Sequence, residues 1–241
     1  MNSQEQWKKT AEDFYTKSLK LKLEEKRYWK FSSAYEKIGE LLSAEINSQI
    51  VDIGAGCGYL NHALKNLRSS ILGIDISLES LKAAKTKNPE SVFIQADIGN
   101  LPIKNEKLDA AASMTTIEFC FDRERSLSEI NRILKKGAKF YLEVRNKNFF
   151  LFNIPKFIIS FLTKAGFLEP YCAEGFIDLK YSEWQNILLK TGFEIAQTRK
   201  SLRPLNYGSP LTRMKHFLIY LVQLCTPLPQ HYMVGFVCVK K

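Results

Sequence analysis

The chain is predicted to be an α/β protein, a parallel sheet with helices on both faces, on three observations. Short apolar, β-rich runs alternate with helical stretches from Gln49 onward. The first run ends in a glycine cluster, and the second and third each end in an aspartate. Length agrees: 241 residues, 45% hydrophobic, with 12 glycines and 8 prolines, describe one large domain or one domain with a small appendage. That composition excludes disorder, collagen and a disulfide-stapled mini-protein.

In order along the chain, residues 1–48 read as an N-terminal helical cap, with Trp7, Ala11, Phe14, Tyr15, Tyr28, Trp29, Phe31 and Tyr35 interleaved with charges at helical spacing. Residues 49–145 form the sheet-bearing core. Ile50–Ile53 is the first strand, Ile71–Asp75 the second, Ser91–Asp97 the third, Leu108–Met114 the fourth and Lys139–Val144 the fifth. Helices are expected near 57–67, 77–87 and 122–135, the second opened by Ser77 as N-cap with Glu79 in its first turn. Residues 146–181, rich in aromatics from Phe149 to Tyr181, interrupt the rhythm and are placed as a lid over the carboxyl ends of the strands. Residues 182–241 complete the sheet: helix Glu183–Lys190 stopped by Gly192, strand Phe193–Thr198, apolar helix Thr212–Cys225 and strand Tyr232–Val239. The long crossover before the last strand allows it to lie between strands five and six.

Charge and cysteine content narrow the setting. Of the net +10, residues 199–241 contribute +7, with seven Lys/Arg and no acid. This basic fifth is either a solvated face or a surface for an anionic partner such as a phospholipid. Helix Thr212–Cys225, flanked by Arg203, Arg213 and Lys215, suits peripheral contact with an anionic membrane, although a buried crossover helix is the favoured reading. Nucleic acid is disfavoured because the basic residues are not interleaved with stacking aromatics. Cys57, Cys120, Cys172, Cys225 and Cys238 are odd in number and never in C-x-x-C spacing, which favours free thiols in a reducing compartment. The start has no apolar core of signal length, and the run Phe149–Leu162 is broken by Asn153, Pro155 and Lys156. A cytoplasmic protein is expected, with no metal implied.

Chemistry concentrates at the strand ends. The segment Val51-Asp52-Ile53-Gly54-Ala55-Gly56-Cys57-Gly58-Tyr59-Leu60 puts glycines where a strand turns sharply into a helix, whose first N–H groups can meet an anionic group. Dinucleotide binding wants G-x-G-x-x-G, and here Tyr59 stands where the third glycine would fall. Asp52 suits a ligand with an ammonium group better than a pyrophosphate, which it would repel. Asp75 ends the second strand, where a carboxylate can accept hydrogen bonds from both hydroxyls of a ribose. Asp97 ends the third, positioned for an exocyclic amine.

Asp52 to Gly58, Gly73-Ile74-Asp75-Ile76-Ser77, Gln95-Ala96-Asp97-Ile98 and Leu108 to Phe119 together resemble the successive motifs of the Rossmann-like (class I) S-adenosylmethionine-dependent methyltransferases. Ser126 to Val144, with Glu129-Ile130-Asn131-Arg132-Ile133-Leu134-Lys135-Lys136-Gly137, resembles the helix and fifth strand of their small-molecule branch. The resemblance implies a three-layer sandwich around a seven-stranded, mostly parallel sheet with the last strand antiparallel. It implies that Asp52 and the backbone of Gly54, Ala55 and Gly56 hold the methionine part of S-adenosylmethionine. Asp75 would then bind the ribose, Ile76 would pack on the adenine, Asp97 and the Ile98 N–H would read its edge, and Thr115 would lie near the sulfonium. Tyr59 joins this cofactor-binding set.

Two positions depart from the family. Phe119 stands where a histidine is frequent, and Lys136 and Ala138 replace a usual proline and second glycine. His62, His216 and His231 read as surface or packing residues, and Glu118 as a proton acceptor or an electrostatic partner. No catalytic base is assigned, because a sulfonium methyl is already activated and positioning supplies much of the rate. The acceptor is expected to be a small or lipid-like molecule. Rival readings are a silent S-adenosylmethionine-binding regulator, supported by Phe119, and a nicotinamide-dependent oxidoreductase, disfavoured by the glycine spacing.

Overall fold

Strands buried on both faces need apolar residues at nearly every position, and the computed structural model places such strands at the centre of its sheet. It describes residues 32–42, 48–65, 70–148, 179–200 and 233–241. In chain order the elements are α1 (Ser32–Leu41), β1 (Gln49–Ile53), α2 (Tyr59–Ala63), β2 (Ser70–Asp75), α3 (Leu78–Lys87), β3 (Val92–Gln95) and β4 (Leu108–Met114). A 3-10 turn (Ile117–Phe119), α4 (Arg123–Ile133), β5 (Leu134–Arg145), α5 (Tyr181–Lys190), β6 (Phe193–Lys200) and β7 (Met233–Lys240) follow. Most of the proposed lid, the apolar helix 212–225, His216 and His231 lie outside the described residues.

The strands form one sheet in the order β3-β2-β1-β4-β5-β7-β6. β1 pairs in parallel with β2 and β4, and β4 with β5, while β7 runs antiparallel between β5 and β6. The last strand thus takes the place its long crossover allowed, and the fold is the Rossmann-like three-layer arrangement expected. On one face Val51, Ile53, Phe140 and Leu142 meet Leu127, Ile130 and Ile133 of α4 and Trp184 and Leu188 of α5. On the other, Ile50, Ala110, Ala112 and Tyr141 meet Tyr35 and Ile38 of α1 and Leu60 of α2. The alanines of β4 keep the centre of the sheet thin enough for both helix layers to close on it.

Several boundaries differ from the sequence expectation: β3 runs Val92–Gln95, so Asp97 stands in the connection two residues beyond the strand and not at its end, and two other differences have local reasons. The helix after the glycines begins at Tyr59, not Cys57, because Gly56 and Gly58 both hold positive φ and so lie outside any right-handed helix. β5 begins at Leu134, directly after α4: Leu134 pairs with Leu108, and the register then shifts before Ala110 meets Lys139. The Lys136-Gly137 dipeptide, a turn by composition, is accommodated inside the strand with Gly137 at φ 75°. Ser77 caps α3 as expected, accepting a hydrogen bond from the Ser80 N–H, with Glu79 in the first turn.

The chain leaves β1 toward β2 and β3 and returns on the other side to β4. Strand order therefore reverses between β1 and β4, and a crevice opens at their carboxyl ends. Asp52, the glycines, Asp75, Asp97 and Thr115 all lie at that edge.

Candidate active site at the carboxyl edge of the sheet

The glycine loop is fastened to β2 by its own amides. The N–H groups of Gly54 and Ala55 both donate to the Ile74 carbonyl, at 2.7 and 2.9 Å, and that of Gly56 to Asp75 Oδ2 at 2.9 Å. Gly58 N–H donates to the Ala55 carbonyl. The amides of the loop itself are thus engaged within the protein, whereas the expectation for the helix concerned its own first N–H groups. Three loop donors are committed to β2, and α2 spans only five residues behind a left-handed Gly58. What the loop retains toward a ligand is its carbonyl oxygens and the space above Gly56, where a Cβ would meet no atom within 4 Å. Asp52, two residues upstream and 2% exposed, lies on the sheet face of Ile50, beneath α1 and α2.

Gly54 has a second constraint. At φ 77° a Cβ there would overlap the Thr116 side chain, so the residues that end β4 sit directly on the glycine loop. Gly54→Ala is expected to cost about 2–4 kcal/mol, combining left-handed strain and overlap, read as a lowered urea midpoint. Gly56→Ala, with open space beside it, is expected to cost about 1 kcal/mol while removing ligand affinity. Equal stability losses in the two variants would refute this distinction.

Asp75 closes the loop from the other side. Its Oδ2 holds Gly56 and its Oδ1 accepts from the Ser77 N–H at 2.9 Å, so one carboxylate joins the glycine loop to the start of α3. A carboxylate has about four acceptor positions, leaving capacity for a diol beyond these two bonds. Ile76 lies half-buried between them, its carbonyl accepting from Gln95 Nε2. Asp97 Oδ1 accepts from the Gly99 N–H at 3.0 Å, and Ile98 is buried in the core beside it. Tyr59 packs instead toward the cap: its ring stacks on Tyr35, and the Lys87 ammonium lies 6.0 Å from its centroid.

At the end of β4, Thr115 adopts φ 50°, rare for a β-branched residue, and is held there by its N–H to the Glu143 carbonyl at 2.7 Å. Such strain concentrates where geometry matters to function. Glu118, three residues on, is bound to Arg145 at 2.6 Å, both side chains nearly fully buried. The Arg145 guanidinium also lies 5.5 Å from the Phe119 ring centroid, so an arginine of β5 faces the position where a histidine is frequent in the family. The Arg145 partner was not legible in sequence, since nothing local distinguishes it. Burial pushes the nearby Cys120 thiol up to about 12, which keeps it protonated at neutral pH. His62 stays below its ordinary range through burial and the neighbouring Lys65, consistent with a packing residue.

These residues fit the methyl donor that the sequence implies: an open cradle at Gly56, a carboxylate at the end of β2 and a second two residues beyond β3. A family profile described as "Methyltransferase domain" matches residues 51–142, from β1 into β5. Malonyl-[acyl-carrier protein] O-methyltransferase of Hamiltonella defensa is 34% identical over 91 residues, which is 38% of this chain and 35% of that protein. Ubiquinone/menaquinone biosynthesis C-methyltransferase UbiE of Campylobacter jejuni is 33% identical over 168 residues, 61% of this chain and 71% of that one. The chain therefore spans little more than a third of the first relative and most of the second. Among solved structures, geranyl diphosphate C-methyltransferase from Streptomyces coelicolor superposes with a TM-score of 0.64 at 13% identity, covering 87% of this chain and 79% of its own, a likeness of fold. The motif order, the seven-stranded sheet and these relatives agree: the chain belongs to the class I S-adenosylmethionine-dependent methyltransferase family.

Proposed function

We propose that the protein transfers the methyl group of S-adenosylmethionine to a small or lipid-like acceptor. The observation that carries this reading is the commitment of the Gly54, Ala55 and Gly56 amides to Ile74 and Asp75. A loop that has spent its donors acts on a ligand through carbonyl oxygens, with the negative charge of Asp52 behind it. That arrangement suits the ammonium group of a methionine moiety and gives a dinucleotide pyrophosphate no anion nest. In this reading Asp75 accepts from the ribose hydroxyls, Ile76 packs on the adenine, and Asp97 with the Ile98 N–H reads its edge. Thr115 and Thr116, seated on Gly54, shape the wall where the acceptor approaches.

S-adenosylmethionine, held by these residues, would supply an activated methyl carbon to an electron pair of the acceptor, with its sulfur as the leaving group. The chain's part is to orient both partners and to exclude water. No side chain is assigned as a base: Glu118 already holds Arg145, and His62 is a half-buried residue of α2. The names of the two relatives specify an oxygen and a carbon acceptor respectively, so kinship leaves the acceptor atom open. Support for an apolar acceptor comes from the quinone-pathway relative and the aromatic richness of segment 149–181.

Calorimetric titration with S-adenosylhomocysteine, beside NADH, tests the cofactor. Micromolar binding of the first and none of the second is expected; the reverse would sink the proposal. Label transfer from methyl-labelled S-adenosylmethionine into a metabolite extract then separates an enzyme from a silent binder.

A further inference from the structure

The Glu129-Ile130-Asn131-Arg132 segment of α4 takes no part in the chemistry proposed above, yet it makes the densest side-chain network among the described residues. Arg132 donates from Nε to Glu129 Oε1 at 2.7 Å and from Nη2 to Glu129 Oε2 at 2.8 Å, a bidentate pair. The rest of its fork reaches across to the segment joining β3 to β4. Nη2 donates to the Leu101 carbonyl, and Nη1 to the Ile103 carbonyl and Asn105 Oδ1, at 2.7–3.0 Å. Glu129 Oε2 in return accepts from the Leu101 N–H at 2.8 Å. One turn earlier on α4, Arg125 Nε donates to the Gly99 carbonyl at 2.7 Å.

One helix thus holds Gly99, Leu101, Ile103 and Asn105, every second residue of a connection with no strand or helix of its own. A connection of this length is otherwise prone to multiple conformations. Asp97 and Ile98 stand near its start, after Ala96. An ion pair this accessible contributes little by charge alone; its value lies in the planar fork, which a lysine cannot reproduce. The Glu129 carboxyl sits below its usual range, chiefly through the hydrogen bonds from Arg132.

We propose that Glu129 and Arg132 are positioning residues for the adenine end of the cofactor site, holding segment 97–105 so that Asp97 and the Ile98 peptide face the base. This rests on the cofactor reading above. The test compares wild type, Arg132→Lys, Glu129→Gln and the exchanged pair Glu129→Arg/Arg132→Glu. Affinities are measured for S-adenosylhomocysteine and for S-inosylhomocysteine, whose base carries an oxo group in place of the amine. Hydrogen exchange of amides 99–105 is followed in the ligand-free protein.

Wild type is expected to prefer S-adenosylhomocysteine about tenfold, the scale of one charge-assisted hydrogen bond. The variants should lose most of that preference, binding the adenine ligand about tenfold more weakly and the inosine ligand nearly unchanged, with faster exchange across the segment. The exchanged pair should not recover, since a carboxylate at position 132 cannot donate to the carbonyls of Leu101 and Ile103. Equal weakening of both ligands, unchanged exchange, or recovery by the exchanged pair would overturn the proposal and leave the cofactor reading intact. Failure of wild type to bind S-adenosylhomocysteine would overturn both. Because Glu129 stays ionised below the ordinary glutamate value of about 4.3, protection of the segment should persist on acidification to that pH. It should weaken as pH falls through the depressed folded value, Arg132 still reaching the carbonyls of Leu101 and Ile103.

Discussion

Arg145→Met should lower folding stability by about 3–5 kcal/mol, the cost of leaving a buried charge without its counter-ion, and the melting temperature by roughly 10 °C. Arg145 ends β5 and meets Glu118 of the 3-10 turn after β4 at 2.6 Å, with side-chain exposures of 8% and 2%. Glu143, also fully buried, lies two residues earlier on the same strand and binds the Tyr141 hydroxyl at 3.0 Å. Removing the guanidinium leaves the buried Glu118 carboxylate without this counter-ion. Glu118→Leu combined with Arg145→Met should regain most of the loss, because buried ion pairs exchange for apolar groups at little net cost. The turn itself keeps a second support in that variant, as Arg123 donates to the Glu118 carbonyl at 2.9 Å. Urea denaturation of the two single variants and the double variant measures the coupling. A single-variant loss under about 1 kcal/mol, the size of an exposed pair, would show that this pair does not hold the edge of β4 against β5.

The second large effect is on the ligand. Asp75→Ala is expected to weaken S-adenosylhomocysteine binding more than about 100-fold, from two charge-assisted hydrogen bonds and a loosened glycine loop. Asp75 is the link between Gly56 and Ser77, so its loss frees the loop amide as well as removing the proposed ribose acceptor. Asp75→Asn preserves shape but must turn its NH2 toward one of two N–H donors, and an intermediate loss is expected. Calorimetry at matched folded fraction separates affinity from stability. Binding by the alanine variant within threefold of wild type would remove Asp75 from the site.

Much of this arrangement was legible in the chain. Apolar runs ending at Gly54 and Asp75 marked two strand ends, and that ending in Asp97 overran β3 by two residues, because a parallel strand is apolar inside the sheet and carries polar groups where it emerges. Ser77 announced its helix by a local hydrogen bond that needs no tertiary partner. The placement of β7 between β5 and β6 was one that the crossover length allowed, and pairing with both strands decided it. The start of β5 was not legible, since whether Lys136-Gly137 turns or bulges depends on Leu108 arriving to pair with Leu134.

The sequence by itself determined the order of strands and helices and the acids and glycines brought to one edge of the sheet. Period and turn chemistry are local properties, carried by each segment wherever it sits. Only the tertiary structure decided how those residues are held. Thr116 against Gly54, Arg145 against Glu118, and Arg132 against Leu101 and Ile103 join positions far apart in the chain. The donors of the glycine loop likewise depend on β2 lying beside them: packing commits the amides of Gly54, Ala55 and Gly56 to Ile74 and Asp75.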